Sequence, residues 1–363
     1  MKKKIAIVTT NIINNGGTER VIANVCNLLA DRFNITIYSL STDSGECFYP
    51  LNNNIEIIHM GFAGYEHETS IVKKNILRLG NVSRALSYFR KIECDYFLGV
   101  NKNINILLLL SLYFCKRSKI IGWEHFAYNA PMSKIIAAVR GFLYQRLDKL
   151  IVLTEFDKHF YTKAEIDTVV IPNSVSPLDN HDKVVLSNVV LAVGRHTEQK
   201  RFDRLLRIWR LVKALGHDEW TLKIFGDGPL LEKNKMLASE LGIHDSVSFL
   251  MPTKDIGREY RSSAFLVMTS AYEAFPMVLL EALKSGLPCV AYDCDTGPRD
   301  IIVSGEDGLV IPYADEDKFV LAVDTLIRDP LLRQGMGEAA ISNVQRFSDE
   351  NIRKKWIDLF ESM

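Results

Sequence analysis

No stretch of this 363-residue chain is apolar for long enough to cross a bilayer. The longest such run, Ile104 to Cys115 (INILLLLSLYFC), is 12 residues, against the roughly 20 a spanning helix needs. It reads as a buried helix. The opening Met1 to Thr10 (MKKKIAIVTT) has basic residues, but its apolar segment is too short for a secretion signal and is followed by no small-residue cleavage site. A cytoplasmic protein is expected. The six cysteines, Cys26, Cys47, Cys94, Cys115, Cys289 and Cys294, contain no C-x-x-C pair, which excludes a disulfide framework or zinc site of the usual spacing and leaves reduced thiols. Charge of one sign is not in excess either: 44 Lys and Arg balance 44 Asp and Glu, so no overall field draws nucleic acid. Low-complexity tracts and short repeats are missing. With 47% apolar, 24% charged and 10% aromatic residues, disordered and fibrous classes are excluded and a sizeable core is available.

The charge is unevenly placed. Residues 1–175 carry 21 basic and 15 acidic side chains and the remainder 23 and 29, so an anionic surface would meet the first half. Length implies two or three domains. Short β-branched runs alternate with segments of helical period, the pattern of βα units around parallel sheets covered on both faces. A first series has strands near 5–9, 35–39, 96–100, 120–123, 150–153 and 169–171, with helices near 18–32, 71–91, 102–114 and 132–147. A second has strands near 189–194, 221–225, 247–250, 265–268, 288–292 and 309–311, with helices near 201–215, 229–241, 276–285 and 315–328. Between them, residues 173–188 are rich in Pro, Asn, Ser and Asp and read as a linker. The expected organisation is α/β: two doubly wound Rossmann-like domains, 1–172 and 189–348, facing a central cleft, the chain finishing with helical segments up to Met363, of which 349–363 is a tail. In such folds ligands bind at the carboxyl ends of the strands.

The strongest chemical signal is Glu273-Ala-Phe-Pro-Met-Val-Leu-Leu-Glu281, two carboxylates eight positions apart. Pro276 suits the first turn of a helix and Gly286 its C-terminal cap, which puts Glu273 in the preceding loop and Glu281 more than one turn inside. Unpaired N–H groups and the positive dipole end make that N-terminus an anion site. A nucleotide-diphosphate sugar would fit, with its diphosphate along Ala274, Phe275, Pro276, Met277 and Val278, its ribose diol on Glu281 and its sugar near Glu273. Upstream, Gly194-Arg195-His-Thr-Glu-Gln-Lys200 sets two cations just past a strand. Arg195 can fork onto a diphosphate and Lys200 can add a point charge. Gly226-Asp227-Gly228-Pro229 follows the next strand and opens the next helix, as a turn or as a contact in which Asp227 and Gly228 meet the substrate. In the first series, Asn15-Gly16-Gly17-Thr18-Glu19 joins strand to helix with glycines that let backbone N–H groups approach a phosphate or an acceptor. It is not G-x-G-x-x-G, and Ser39 to Ser41 supply no acidic residue for a NAD ribose. His125 follows a strand in Trp-Glu-His-Phe, where it can hydrogen-bond a sugar or phosphate or simply serve the core.

Other features bear on binding. Asp293-Cys294-Asp295 has the D-x-D form of a divalent-metal pair, but a fold using it would not need the second series. Arg201, Arg204, Arg207, Arg210 and Lys213 recur every third residue, a spacing that drifts around a helix and reads as a broad solvated face. The segment Lys73 to Lys91 (KKNILRLGNVSRALSYFRK) combines apolar positions with Lys73, Lys74, Arg78, Arg84, Arg90 and Lys91. It suits a helix lying on anionic lipid headgroups or lipid pyrophosphate, or an ordinary amphipathic surface helix.

Taken in order, Gly16-Gly17-x-Glu19, the histidine after the strand, Gly194-Arg195 with Lys200, Gly226-Asp227-Gly228 and the E-x7-E pair resemble the retaining glycosyltransferases of GT-B fold called family 4. The likeness spans nearly the whole chain, and Asp295-Thr296-Gly297-Pro298-Arg299-Asp300-Ile301-Ile302 and Asp307-Gly308-Leu309-Val310 are similar to members that build bacterial surface polysaccharides and lipid-linked oligosaccharides. The resemblance implies transfer of a hexose or N-acetylhexosamine from a UDP-sugar to a lipid-linked or polysaccharide acceptor. It implies retention of configuration, no metal and no cofactor, at the inner face of the membrane. It assigns the diphosphate to Arg195 and Lys200, the ribose to Glu281, the donor sugar to Glu273 and His125, and the base to backbone near Thr253. It also packs the tail, 349–363, on the first domain. Two positions depart from the family: Ala274 and Arg201 stand where glycine is common, so the loop at Ala274 must avoid positive φ. Two other readings use the same nucleotide site: a UDP-sugar epimerase and a catalytically silent subunit of a glycan-assembly complex.

Overall fold

In a computed structural model the described residues are 2–14, 16–41, 45–62, 82–112, 118–129, 133–175, 187–253 and 255–363. They form two compact units, Met1–Ser174 together with Ile352–Met363, and Val175–Asn351.

The first unit holds a seven-stranded sheet in the order β3-β2-β1-β4-β5-β6-β7. The strands are β1 (Lys4–Thr9), β2 (Asn34–Ser39), β3 (Glu56–His59), β4 (Tyr96–Val100), β5 (Lys119–Trp123), β6 (Lys149–Val152) and β7 (Thr168–Val170). Every neighbouring pair is parallel, β1 lying between β2 (Ile5 opposite Ile35) and β4 (Ile5 opposite Tyr96). Continuous burial along β4 follows from helices covering both faces. The described helices are Gly17–Leu29, 82–89, Lys102–Leu112, Lys134–Tyr144 and Glu155–Lys163. On one face Ala85, Phe89, Leu108, Leu112, Leu143 and Tyr144 share a core with Val8, Phe97 and Leu150. The last helix of the chain, Asp349–Ser362, is built into this unit. Trp356 and Phe360 are buried, Trp356 meets Trp123 with ring centroids 4.9 Å apart, Tyr96 donates its hydroxyl to the Phe360 carbonyl at 2.7 Å, and Arg353 pairs with Asp31 at 2.6 Å.

The second unit carries a six-stranded sheet, β10-β9-β8-β11-β12-β13. Its strands are β8 (Val189–Val193), β9 (Thr221–Phe225), β10 (Val247–Leu250), β11 (Phe265–Met268), β12 (Cys289–Asp293) and β13 (Gly308–Pro312), again all parallel. Leu205, Leu206, Trp209, Phe265, Val290, Phe319 and Leu326 lie in its main core. Val175 pairs with Ser348 in this unit, its N–H reaching the Phe347 carbonyl at 3.0 Å.

All twelve expected strands form. Among the described residues the sequence reading missed β3, a short edge strand with no fully buried residue, and three α-helices: Glu155–Lys163, whose mean hydropathy is low, and the brief Ile256–Arg261 and Pro298–Ile301. Of the expected linker, 176–186 lies outside the described residues, as does 71–81 of the expected basic helix.

Candidate active site

Both sheets reverse strand order at one place, between β1 and β4 and between β8 and β11. Loops leaving the carboxyl ends of such strands part and leave a crevice. In the second unit the loops after β8 (194–201) and β11 (269–276) hold the two cations and the first glutamate.

Their backbones are laced together. Ala271 donates its N–H to the Gln199 carbonyl at 2.7 Å, Gln199 Nε2 donates to the Tyr272 carbonyl at 2.9 Å, and the Thr269 hydroxyl is shared between the carbonyls of Lys200 and Arg201 at 3.2 and 3.1 Å. Across this lacing Lys200 Nζ meets Glu273 Oε1 at 2.5 Å. Arg195 is exposed and its guanidinium makes no hydrogen bond or ion pair with a described residue, which leaves its fork open toward an anion. Arg201 takes the left-handed conformation, φ 51°, that a glycine would adopt freely, and spends its own fork on Asp203 at 2.9 Å for both contacts. Ala274 is not among the positive-φ residues, so its side chain costs that loop nothing in backbone strain.

The loop after β9 joins the same assembly. His196, fully buried, receives the Asn234 amide at its Nδ1 at 2.8 Å, and burial lowers its pKa. Its N–H donates to the Asp227 carbonyl at 2.8 Å. A Cβ on Gly226 would stand 1.8 Å from the Gly194 carbonyl oxygen, and one on Gly228 2.6 Å from that of His196, so both glycines are required by close backbone approach. Asp227 itself is exposed, its carboxylate accepting the Gly228 N–H at 2.7 Å.

Pro276 caps the following helix, which runs Met277–Lys284 and is stopped by Gly286 at φ 69°. Met277 and Val278 occupy its first turn, where N–H groups have no intrahelical acceptor. Phe275 anchors the loop on Phe347, ring centroids 5.4 Å apart. Glu281, a turn further in and only 4% exposed, accepts the Tyr260 hydroxyl on Oε2 at 2.7 Å. Tyr260 was invisible to sequence reasoning because nothing in its spacing ties it to the E-x7-E pair. Thr253 lies on an exposed loop, its hydroxyl accepting the Asp255 N–H at 3.1 Å.

Both Asp293 oxygens are taken by Arg299, at 2.7 and 2.6 Å, which ties the D-x-D segment to its own loop. The Arg201 to Lys213 series is not one solvated face. Arg207 and Arg210 are exposed, but Arg204 lies over the rings of Tyr292 and Tyr313 at 5.5 and 5.1 Å, and Lys213 Nζ caps the carbonyls of His217, Asp218 and Trp220.

Gly16, Gly17 and His125 belong to the first unit. Gly16 caps the helix Gly17–Leu29 with φ −79°, and the Glu19 carboxylate folds back against it; Asn15 lies outside the described residues. His125 stands past the end of β5, its ring 4.3 Å from that of Trp123. Burial drives its pKa down to about 3, so the imidazole is neutral, and its Nε2 is buried without a partner among the described residues. Beside it Glu124, also buried and with its pKa raised by desolvation, accepts from Asn105 at 3.1 Å and from the Tyr144 hydroxyl.

Residues 179–343 match the family model described as glycosyl transferases group 1. Over 372 aligned residues the chain is 35% identical to the amylovoran biosynthesis glycosyltransferase AmsD of Erwinia amylovora, covering 98% of this chain and 99% of that one. It is 25% identical over 365 residues, 99% and 98% of the two chains, to the GalNAc-alpha-(1->4)-GalNAc-alpha-(1->3)-diNAcBac-PP-undecaprenol alpha-1,4-N-acetyl-D-galactosaminyltransferase of Campylobacter jejuni. Among solved structures it matches HepE of Anabaena in complex with UDP-glucose, with a TM-score of 0.80 at 16% identity over 99% of this chain and 100% of that one. The fold is GT-B. The chain belongs to the group 1 glycosyl transferases.

Proposed function

We propose that this glycosyltransferase moves a hexose or N-acetylhexosamine from a UDP-sugar to a lipid-linked saccharide in bacterial surface glycan synthesis, with retention of configuration and without a metal. The observation that carries this reading is the Lys200–Glu273 pair at 2.5 Å, on the same loop as an Arg195 whose guanidinium has no partner among the described residues and ahead of the Met277–Lys284 N-terminus. Two cations and a helix end offset the charge of a departing diphosphate, the task a metal performs elsewhere. Glu281 receives the ribose hydroxyls and backbone near Thr253 the uracil. Glu273 accepts from the donor sugar. The anomeric carbon's bond to the phosphate oxygen breaks as its bond to the acceptor oxygen forms on the same face. The acceptor's proton passes to the departing phosphate oxygen.

UDP is named in the HepE complex, and a diphosphate-linked undecaprenol acceptor in the Campylobacter enzyme's name; both support the reading. Among the described residues no helix is long and apolar enough to cross a membrane. The protein meets the inner face of the membrane through the basic segment Lys73 to Lys91, of which 82–91 is described. Within it Arg84 and Arg90 are both exposed; Arg84 lies over the Phe62 ring at 5.2 Å and donates to the Gly61 carbonyl at 3.5 Å, and Arg90 donates to the Ser111 carbonyl at 2.9 Å.

Calorimetric titration of UDP, GDP and ADP in EDTA into the wild type and Glu281→Ala tests the donor site. Selective UDP binding that weakens in the variant is expected. Binding that needs a metal, or that the variant keeps in full, overturns it.

A further inference from the structure

The Glu273 side chain is held by Lys200, the cation for which a bound diphosphate competes. An anchor that survives donor binding has to act on the backbone. Thr296, 1% exposed in the loop after β12, donates its hydroxyl to the carbonyl of Glu273. The next residue, Gly297, has φ 92°, and a Cβ there would stand 2.7 Å from Pro276 Cδ and 3.0 Å from the Ala274 oxygen. The loop therefore passes directly against residues 274–276. It is fastened at both ends, by the Arg299–Asp293 fork at 2.6 Å and by the Gly297 N–H on Asp300 at 3.2 Å.

We infer that Thr296 is a positioning residue of the transfer reaction, holding the Glu273 backbone so that its carboxylate stays aimed at the donor sugar once Lys200 turns to the diphosphate. This rests on the donor role proposed for Glu273. A hydroxyl–carbonyl bond from a fully buried threonine fixes one peptide plane, and displacement of a reacting-site group by about an ångström costs on the order of a hundredfold in rate.

The experiment compares Thr296→Val, which keeps the shape and removes the donor, with Thr296→Ser, which keeps the donor, in the wild-type and Glu273→Gln backgrounds. The readouts are UDP release from UDP-glucose, UDP-galactose and UDP-N-acetylglucosamine, and UDP affinity by calorimetry. Thr296→Val is expected to lower kcat roughly tenfold to a hundredfold with UDP affinity held within about twofold, and Thr296→Ser to restore most of it. Because Thr296 acts through Glu273, Thr296→Val should cause no further loss in Glu273→Gln. Wild-type kcat in Thr296→Val, losses that multiply across the two sites, or weakened UDP binding each overturn the inference. Full turnover in Glu273→Gln overturns instead the donor role on which it rests, as does a wild type that releases UDP from none of the three donors.

Discussion

Lys200 Nζ and Glu273 Oε1 are 2.5 Å apart although 73 residues separate them in sequence, with side chains only 17% and 9% exposed. A buried pair of this kind is costly to break from one side, because the charge left behind is uncompensated. Lys200→Met is expected to weaken UDP affinity about tenfold to a hundredfold, the worth of one charge-assisted hydrogen bond of about 1.5–3 kcal/mol. Glu273→Gln should spare UDP and lower kcat by about a hundredfold. Calorimetry and steady-state kinetics separate the two effects.

Tyr260 and Glu281 make a second, fully buried contact at 2.7 Å. Tyr260→Phe removes the hydroxyl that orients the carboxylate, and a loss of about 1 kcal/mol in UDP binding, near fivefold, is expected. Glu281→Ala should lose more. UDP titrations on both variants check the order.

Gly226 sits where any side chain would enter the Gly194 carbonyl. Gly226→Ala is expected to lower stability by about 3 kcal/mol or more and to abolish UDP binding by parting the loops after β8 and β9. Chemical denaturation with a UDP titration tests both halves.

Burial holds His125 at a pKa of about 3, below its ordinary 6.5. As pH falls through 6.5 the unfolded chain takes up this proton while the folded one does not until about 3. Stability from this group is thus full above 6.5 and is lost toward 3, at about 1.4 kcal/mol per pH unit for a whole proton. Glu124 runs oppositely: its raised pKa lets the folded state take the proton first, adding stability as pH falls toward 4.5. Unfolding scans between pH 7 and 4 should show a flatter decline in His125→Phe than in the wild type, and turnover should show no inflection from His125 between pH 5 and 8.

Arg84→Glu is expected to reduce flotation with phosphatidylglycerol vesicles and turnover on a lipid-linked acceptor several-fold, each cation near an anionic surface being worth about 1 kcal/mol. UDP affinity should not change. Equal loss of both would count against the membrane contact.

The parallel sheets were readable because their strands are short β-branched runs set between periodic helices, and the switch point follows from strand order. The places of Arg195, Lys200 and Glu273 just past strand ends, and of Glu281 inside the helix that follows, were readable from the alternation of strands and helices. What escaped was contact made across distant sequence. Tyr260 lies 21 residues from Glu281 and Thr296 lies 23 from Glu273, and neither a tyrosine in a six-residue helix nor a threonine after a strand carries a local signature. Strand β3 escaped because an edge strand half-open to solvent needs no continuous apolar run. The mixed use of the Arg201 to Lys213 series escaped because period alone cannot tell a guanidinium stacked on tyrosines from one in water.

Ile352–Met363 closes the first unit, with Trp356 on Trp123, Phe360 on Phe33 at 5.2 Å and Lys3 on the Phe360 carbonyl at 3.1 Å. During synthesis the first unit therefore waits for residues made after the whole of the second. The second unit has all of its own chain as soon as Asn351 leaves the ribosome and can fold ahead of its predecessor. A nascent chain stalled anywhere before Trp356 would carry an unfinished apolar face on its older half, and that half would be the one at risk of aggregation or proteolysis.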